Sequence, residues 1–293
     1  VSLSGLAFRE RCGAEVSLST DFSLDNEALS VSVLDVRLDN SNIRFADIKI
    51  PIKSVKTIGD DLKEATMKIE VMKGSSVQVA DMRYFVPALS KSSLRIGIEA
   101  AMSGRADMFS VDRMRLDLGQ RGEYVTLLAE VAMPDLKTSE IAVNLSDFKC
   151  YVTSPTVIET MGLFKDPSPQ IRNILGNTEH LDLHMQGRYT PADADLHGNL
   201  KTALGSLLVD GTARGRLTSG TAEIGLTAQT PEFAIGAVAP AKATVGSGAF
   251  MIDGSASLHD GRLAKASVHA DIDRIEWRNH LWQSVDITGS YDG

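Results

Sequence analysis

The residues best suited to chemistry are two histidines and an aspartate in the run His180-Leu-Asp182-Leu-His184. Alternate side chains of a β-strand share a face, so these three would lie together, opposite Leu181 and Leu183. Imidazole and carboxylate groups held close together are typical zinc ligands. However, the same spacing occurs on the solvent-facing side of any amphipathic strand, and that pattern accounts for all three residues. We therefore predict a strand with one polar face here and no bound metal.

Other catalytic and cofactor motifs are no better supported. Gly246-Ser-Gly248 lies in a strand-like run, and the helix that a phosphate-binding loop requires does not follow it. Asp271, Asp273 and Glu276 could supply a glycosidase-type carboxylate pair, but alternation along a polar strand face explains them as well. No serine lies in the Gly-x-Ser-x-Gly strand-turn-helix setting of a nucleophile elbow. The sequence thus predicts a protein that is not an enzyme and needs no cofactor.

The composition is that of an ordered globular chain. Its 293 residues are 43% hydrophobic and 23% charged, which is enough for a large core in one long β unit or in two domains. The formal net charge is −8 and there is no basic run, which argues against a nucleic-acid partner. Cys12 and Cys150 fit no metal-ligand spacing, so we expect two free thiols, with a disulfide between them as the alternative.

The sequence shows no stretch approaching the roughly twenty apolar residues of a membrane-spanning helix, and no signal peptide. The chain begins at Val1 within an alternating pattern and stops at Gly293, where a further strand is expected. We therefore expect an internal fragment of a longer protein.

Most of the chain alternates between apolar and polar residues with a period of two, which predicts β-strands with one apolar face each. From 212 to 293 these runs follow one another with no helix signal. Asp210-Gly211, Asp253-Gly254 and Asp260-Gly261 are dipeptides typical of type I′ hairpins, which join antiparallel strands. The sequence therefore predicts a long antiparallel sheet.

The alternation changes parity at two points near the start of the chain. One change falls between Val33 and Val36, and the other between Phe45 and Ile48. A β-bulge inserts one residue and so restores the apolar side chains to the same face. We predict a bulge at each point.

Two short helical inserts, near 81–90 and 155–176, are predicted to interrupt the strands. Asp81 is a candidate N-cap for the first, and Pro155 stands at the first helical position of the second. Since each insert has an apolar face, we expect both to pack on the apolar side of the sheet as movable partial lids. These faces comprise Met82, Phe85, Val86 and Leu89 in the first insert, and Val157, Ile158, Met161, Ile171, Ile174 and Leu175 in the second.

A sequence repeat links the strands that follow the two inserts. Ile98-x-Ala100-x-Met102-Ser-Gly104-Arg matches Leu181-x-Leu183-x-Met185-Gln-Gly187-Arg at an offset of 83 residues. Self-similarity at a fixed period is typical of arrays built by duplication. We therefore interpret residues 1–293 as one continuous elongated β-repeat region. Its units are approximately 1–80 (partial), 81–153 and 154–293.

Several segments of the chain resemble sequences of the AsmA-like superfamily, specifically the TamB branch found in Bacteroidetes-type Gram-negative bacteria. The similar segments are Leu3 to Gly13, Leu34 to Ile43, 79–87 and 233–293. The resemblance covers essentially the whole chain.

The resemblance implies a β-taco, in which an antiparallel sheet curls into a U-shaped trough with an apolar interior. It also implies a location in the periplasm, within a parent protein anchored in the inner membrane. An outer-membrane barrel of the Omp85 class would be a partner through regions outside this chain. Members of this translocation and assembly module family are implicated in phospholipid transport and in outer-membrane protein assembly, and they have no catalytic residues.

The expected function is therefore a passive, non-enzymatic bridge that carries phospholipid between the two membranes and supports outer-membrane biogenesis. With aromatic residues at only 5% of the chain, we expect an apolar face that the protein does not fill by itself. The alternative is a chaperone-like scaffold that pairs incoming strands at a sheet edge, and a polysaccharide-active β-solenoid is a third hypothesis. The predicted lipid-groove lining is Leu29, Val31, Ile43, Leu116, Leu127, Val143, Leu183, Leu226, Ile252, Ile272 and Val285.

Overall fold

The fold is mostly β and antiparallel, as predicted. A computed structural model describes residues 2–9, 15–24, 28–51, 65–105, 107–119, 121–132, 141–216, 220–238 and 244–293. Cys12 lies outside these residues. The chain forms two compact units, the first comprising Val1–Ile141 with Thr160–Asp166 and the second Ala142–Glu159 with Pro167–Gly293.

The strands of the first unit pair in chain order, each antiparallel to the next. They are β1 (Ser2–Arg9), β2 (Glu15–Leu24), β3 (Ala28–Leu38), β4 (Ser41–Pro51), β5 (Met67–Gln78), β6 (Arg95–Arg105), β7 (Met108–Asp117) and β8 (Tyr124–Ala132). Within the described residues β1 pairs only with β2, so this edge of the sheet is open.

The strands of the second unit also pair in chain order. They are β9 (Ala142–Thr153), β10 (His180–Tyr189), β11 (Asp193–Thr202), β12 (Gly205–Arg214), β13 (Thr221–Phe233), β14 (Val245–His259), β15 (Arg262–Trp277) and β16 (His280–Asp292). In the described part of the chain β16 pairs only with β15, so the sheet is not closed.

The bulge predicted between Phe45 and Ile48 is confirmed, whereas the one predicted between Val33 and Val36 lies one residue earlier, at Ser32. The β2–β3 register shifts between Asp21 and Phe22, whose partners Val33 and Val31 leave Ser32 as the extra residue. The β4–β5 register shifts after Ala46, beside Asp47, whose φ is 51°. Both bulges keep apolar residues on one face despite the change of parity.

The hairpin predictions are right for one dipeptide and wrong for two. Asp260 and Gly261 have φ of 49° and 73° and form the β14–β15 turn, as a type I′ hairpin requires. Asp210-Gly211 and Asp253-Gly254 instead lie inside β12 and β14. In these long strands, continuous pairing on both sides outweighs the local turn preference of the dipeptide.

The first helical insert departs from the prediction. It consists of two 3₁₀ helices, Val79–Tyr84 and Pro87–Lys91, with Gln78 rather than Asp81 at the N-cap position. Phe85 is 69% exposed and Val86 is 40% exposed, so the expected burial is wrong for these two residues, whereas Met82 and Leu89 are half-buried. Pro87 cannot continue a helix begun before it, and the insert therefore breaks into two single turns too short to present one apolar stripe.

A buried carboxylate holds this insert in place. Asp81 is fully buried, and its Oδ2 accepts hydrogen bonds from the Asn40 backbone N–H at 2.9 Å and from Ser41 Oγ at 2.7 Å. Ser41 Oγ in turn accepts the Gln78 N–H at 2.9 Å. The Arg83 guanidinium lies 3.6 Å from the other Asp81 oxygen. The insert is thus tied to the β3–β4 turn through polar contacts.

The second insert matches its predicted position. It forms helices α1 (Ser154–Phe164) and α2 (Pro169–Thr178). A third insert, the 3₁₀ turn Ile235–Ala237, follows β13. Ser168 caps α2 by accepting the Ile171 N–H at 3.3 Å. Among the described residues, no helix has the length and apolar character needed to cross a membrane. Inserts therefore follow β5, β9 and β13, at intervals of four strands.

The repeated glycines have equivalent geometry. Gly104 in β6 and Gly187 in β10 have φ of 133° and 153°, in the region that favours glycine. Each lies in the first strand after an insert, and each pairs with an apolar residue of the following strand, Phe109 for Gly104 and Leu196 for Gly187. A Cβ on Gly104 would lie 2.6 Å from Phe109 Cα, and one on Gly187 would lie 2.8 Å from Leu196 Cα. The repeated sequence thus produces a repeated close approach of neighbouring strands.

Gly187→Ala should lower the free energy of unfolding by about 2 kcal/mol or more, because the new methyl group meets the next strand and the backbone conformation disfavours an L residue. Gly211→Ala is the matched control, since a Cβ there meets nothing within 4 Å. Urea denaturation followed by circular dichroism measures both. Equal loss of stability in the two variants would contradict this account.

Asp81→Ala should lower the free energy of unfolding by about 2–4 kcal/mol, because it leaves the buried Ser41 hydroxyl and the Asn40 N–H without their acceptor. Asp112→Ala removes an exposed carboxylate that accepts one hydrogen bond from Ser103 Oγ, and it should cost less than about 1 kcal/mol. The urea midpoints of the two variants give the comparison. If Asp81→Ala unfolds at the same midpoint as Asp112→Ala, the anchoring role is wrong.

Candidate functional site

The apolar face of the first unit consists of rows of side chains that cross the strands. In one row Val71 pairs with Ala100, Ala100 with Met114, and Met114 with Leu127. Since directly paired residues project from the same side of a sheet, this row lies on a single face. The neighbouring row contains Ile98, Leu116 and Val125. Leu116 and Leu127, both predicted lining residues, therefore share this face.

The second unit has an apolar face of the same kind, with glycine at every second strand in one row. The eight residues of the row, in strand order, are Leu145, Gly187, Leu196, Gly211, Leu226, Gly254, Val268 and Gly289. Each large side chain therefore has a glycine beside it on the neighbouring strand. Leu226, whose partners Gly211 and Gly254 leave open space, is half exposed, and so is Val268.

The predicted lining residues all have apolar or aromatic cross-strand partners. In the first unit Leu29 pairs with Ile50, Val31 with Ile48, and Ile43 with Val36. In the second unit the pairs are Val143 with Tyr189, Leu183 with Leu200, Leu226 with Gly254, Ile252 with Ala270, and Ile272 with Val285. The structure thus places each candidate on the apolar side of its own unit.

Burial on this face is incomplete. The fully buried apolar side chains in the described part of the chain are small, six alanines and two valines: Ala28, Ala65, Val71, Ala100, Val111, Ala129, Ala222 and Ala249. The predicted lining residues are half-buried, except Leu226, which is 51% exposed. Over Gly104 the face has a hollow of about 250 Å³ lined largely by Met67, Ile69, Met102 and Phe109. The face is therefore apolar without being sealed.

The opposite face of the second unit is polar. One row across β12 to β16 contains Asp210, Thr227, Asp253, His269 and Thr288. A cavity of about 590 Å³ lies over this row and the adjacent serines. Sequence alternation predicted the polar face, but it could not show which side chains become partners, since pairing depends on register.

Histidine and aspartate side chains pair on this polar face. His197 Nδ1 lies 2.6 Å from Asp210 Oδ1, and Nε2 lies 3.2 Å from Asp195 Oδ1. The hydrogen bond to Asp210 and, next, the charge of Asp195 raise the pKa of His197. A general base needs a free ring nitrogen to accept a proton. Because carboxylates occupy both nitrogens, this arrangement favours a charged ion pair over proton transfer.

The two histidines of the run His180 to His184, first considered as metal ligands, have different partners. The His180 ring packs against Tyr151 with centroids 5.7 Å apart, whereas His184 pairs with Asp147 at 3.1 Å. Another group, His269, Asp271 and Asp286, brings its ligand atoms within 4.8 Å of one another.

In this second group His269 is half-buried, and Asp271 and Asp286 are exposed. His269 Nε2 lies 3.4 Å from Asp271 and 3.8 Å from Asp286, so ion pairing accounts for its geometry. Sequence reasoning missed the cluster, because Asp286 is brought to His269 by the pairing of β15 with β16.

Cys150 is a free thiol on the apolar face, paired with Leu183. Partial burial, and next the nearby carboxylate of Asp182, raise the pKa of this thiol. A thiol rather than a thiolate is a poor nucleophile and metal ligand. Cys150 therefore contributes to the apolar surface rather than to a reactive centre.

Asp210→Asn should lower the pKa of His197 toward the ordinary value of about 6.5, because it removes the acceptor that most favours the imidazolium. NMR titration of the histidine ring protons measures the shift. Asp253→Asn, on the same face but not in contact with His197, is the control. Because its pKa is raised in the folded state, His197 should contribute folding stability at pH values below its unfolded-state pKa, and this contribution should be lost as the pH rises through the folded-state pKa. His197→Gln should therefore make the free energy of unfolding less dependent on pH in this range. An unchanged His197 titration in Asp210→Asn would refute the pairing.

Among the described residues each unit thus has an incompletely covered apolar face, and the second unit also has a polar face with histidine–aspartate pairs. Both are products of the alternation and register of the strands. Comparison with known proteins does not assign either surface: no family model matches the chain, and no curated protein and no solved structure shows a significant match to it.

Proposed function

We propose that the apolar face binds the acyl chains of phospholipids. The observation that carries this proposal is the incomplete burial of large apolar side chains on a face whose fully buried apolar residues are only alanine and valine. Leu226, next to Gly254, leaves half of its surface exposed. A flexible apolar ligand would cover this surface without requiring new polar contacts.

Acyl chains suit this surface better than a peptide does. The backbone groups of the interior strands pair with neighbouring strands, so the face offers apolar contact and few hydrogen-bond partners. Each buried methylene contributes about 0.8 kcal/mol, and Gly211 and Gly254 provide hollows beside Leu226 into which an acyl chain can bend. A peptide would have to bury its own unsatisfied backbone groups there.

A sheet curled into a U-shaped trough, the β-taco of the AsmA-like superfamily, would enclose this face while head groups remain at the open seam. In the TamB-like setting the protein is a non-enzymatic bridge in the periplasm that carries phospholipid between the inner and outer membranes and supports outer-membrane biogenesis. The inner-membrane anchor and the contact with an Omp85-class barrel belong to regions outside this chain. The sequence resemblance supports this wider setting.

A charge placed on the apolar face should abolish acyl-chain binding. Leu183→Glu and Leu226→Glu should each weaken the binding of a fluorescent fatty acid at least about tenfold, because a carboxylate does not lie against hydrocarbon without a large desolvation cost. Gln186→Glu in β10 and Gln229→Glu in β13 are matched controls, since both side chains are exposed on the polar face. Native mass spectrometry should also show phospholipid on the wild type and controls.

Circular dichroism first establishes that each variant is folded. Cys150 then gives a second measurement in a Cys12→Ser background, because bound palmitate should slow the reaction of this thiol with a maleimide. If the wild type binds neither the fluorescent fatty acid nor phospholipid, or if the polar-face controls lose binding as the apolar-face variants do, the proposed function is wrong.

The second candidate is a scaffold that pairs an incoming strand with a free sheet edge. The observation in its favour is that, within the described residues, β16 has a strand partner on one side only and almost all its residues are exposed. Binding of a barrel-strand peptide that survives Leu183→Glu and Leu226→Glu would favour the scaffold. Loss of lipid alone in the same variants would favour the conduit.

A further inference from the structure

The hairpin between β15 and β16 carries two neighbouring tryptophans. Arg278 and Asn279 form the turn with φ of 52° and 61°, as in a type I′ hairpin. Trp277 pairs with His280, and Ile275 pairs with Trp282, so both indole rings lie on the same face of the sheet. The ring centroids are 5.9 Å apart.

These rings lie at the margin of the apolar face. Trp282 continues a row that crosses Ile275 and Gly248 to Phe233, and Ile272 and Val285 form the next row. Trp277 is 43% exposed and Trp282 is 48% exposed. Indole combines a large apolar surface with one N–H donor, so exposed tryptophans are suited to a boundary between hydrocarbon and water.

A cation stands beside the rings. The Arg278 guanidinium carbon lies 5.0 Å from the Trp277 ring centroid, and the Arg278 backbone N–H donates to Thr244 O at 2.8 Å, which fixes the turn. In the part of the chain that the structure describes, no carboxylate lies within ion-pairing distance of this guanidinium. Arg274 on the same strand, by contrast, pairs with Glu232 at 3.1 Å. Arg278 is thus an uncompensated positive charge at the end of an apolar face, in a chain with a net charge of −8.

We propose that Trp277, Arg278 and Trp282 form a rim site for the phosphodiester group of a phospholipid whose acyl chains lie on the apolar face. This inference rests on the proposed function. Guanidinium donates two parallel hydrogen bonds to a phosphate, which fixes the head group at the turn. The indole rings cover the glycerol region, and the rows beginning at Ile275 and Ile272 receive the acyl chains.

The sequence provides a direct reporter, because these two tryptophans are the only ones in the protein. Vesicles of phosphatidylglycerol should shift the tryptophan emission of the full chain to shorter wavelength, and the same lipid with brominated acyl chains should quench it. Inorganic phosphate and glycerol 3-phosphate, which lack acyl chains, should do neither. These soluble anions distinguish a lipid head group from free phosphate.

Arg278→Asn is the informative variant, since asparagine tolerates the positive φ of the turn and removes the charge. It should raise the vesicle concentration at half-maximal quenching about fivefold. Arg262→Asn, an exposed arginine at the other end of β15, is the matched control and should leave it unchanged. Arg278→Lys should restore part of the binding, because it returns the charge without the planar fork.

The rim site is wrong if quenching is the same in Arg278→Asn as in the wild type, or if inorganic phosphate alone produces the full emission shift. A wild type that binds the fluorescent fatty acid, in a manner sensitive to Leu183→Glu, but shows no tryptophan response to vesicles would refute the rim site while leaving the proposed function standing. Quenching that depends on Arg278 but persists in Leu183→Glu and Leu226→Glu would support the head-group contact and place the failure in the proposed acyl-chain surface.

Discussion

The antiparallel hydrogen-bond ladder is the constraint on which the rest of the structure depends. Within each unit every described strand pairs with its neighbour along the chain, so a slip of one residue would turn a whole strand's apolar side chains to the other face. The bulges at Ser32 and Asp47 show this constraint, since each absorbs one residue and keeps the apolar rows aligned. Both surfaces of the protein, apolar and polar, follow from that fixed register.

Glycine residues make the apolar face uneven. Gly187 permits a close approach to Leu196 that any side chain would block, whereas Gly211 leaves open space above it. Gly211 and Gly254, the cross-strand partners of Leu226, therefore leave hollows beside its protruding side chain. A core built from interlocking large residues would fill those hollows. Here the buried apolar side chains are small, and the larger ones remain partly exposed. The proposal of a flexible apolar ligand rests on this exposure.

Polar contacts determine how the irregular parts attach to the ladder. Asp81 accepts hydrogen bonds from the β3–β4 turn and thereby positions the first insert. Phe85, an apolar residue of that insert, remains exposed. On the polar face, His197 is fixed between two carboxylates that come from different strands. The hairpin at Trp277 combines apolar and polar groups, because two indole rings and the Arg278 guanidinium lie together at its turn.

The sequence by itself determined the strands, their apolar faces, the bulge at Asp47, the Asp260-Gly261 turn and the positions of the first two inserts, because each depends on periodicity or on a dipeptide's own conformational preference. It placed the other bulge within one residue of Ser32. Tertiary structure alone decided that Asp210-Gly211 and Asp253-Gly254 stay extended, that Asp81 anchors rather than caps, and that His269 meets Asp286. These outcomes depend on which residue a neighbouring strand places opposite, and register is a property of the paired sheet that no local window of sequence contains.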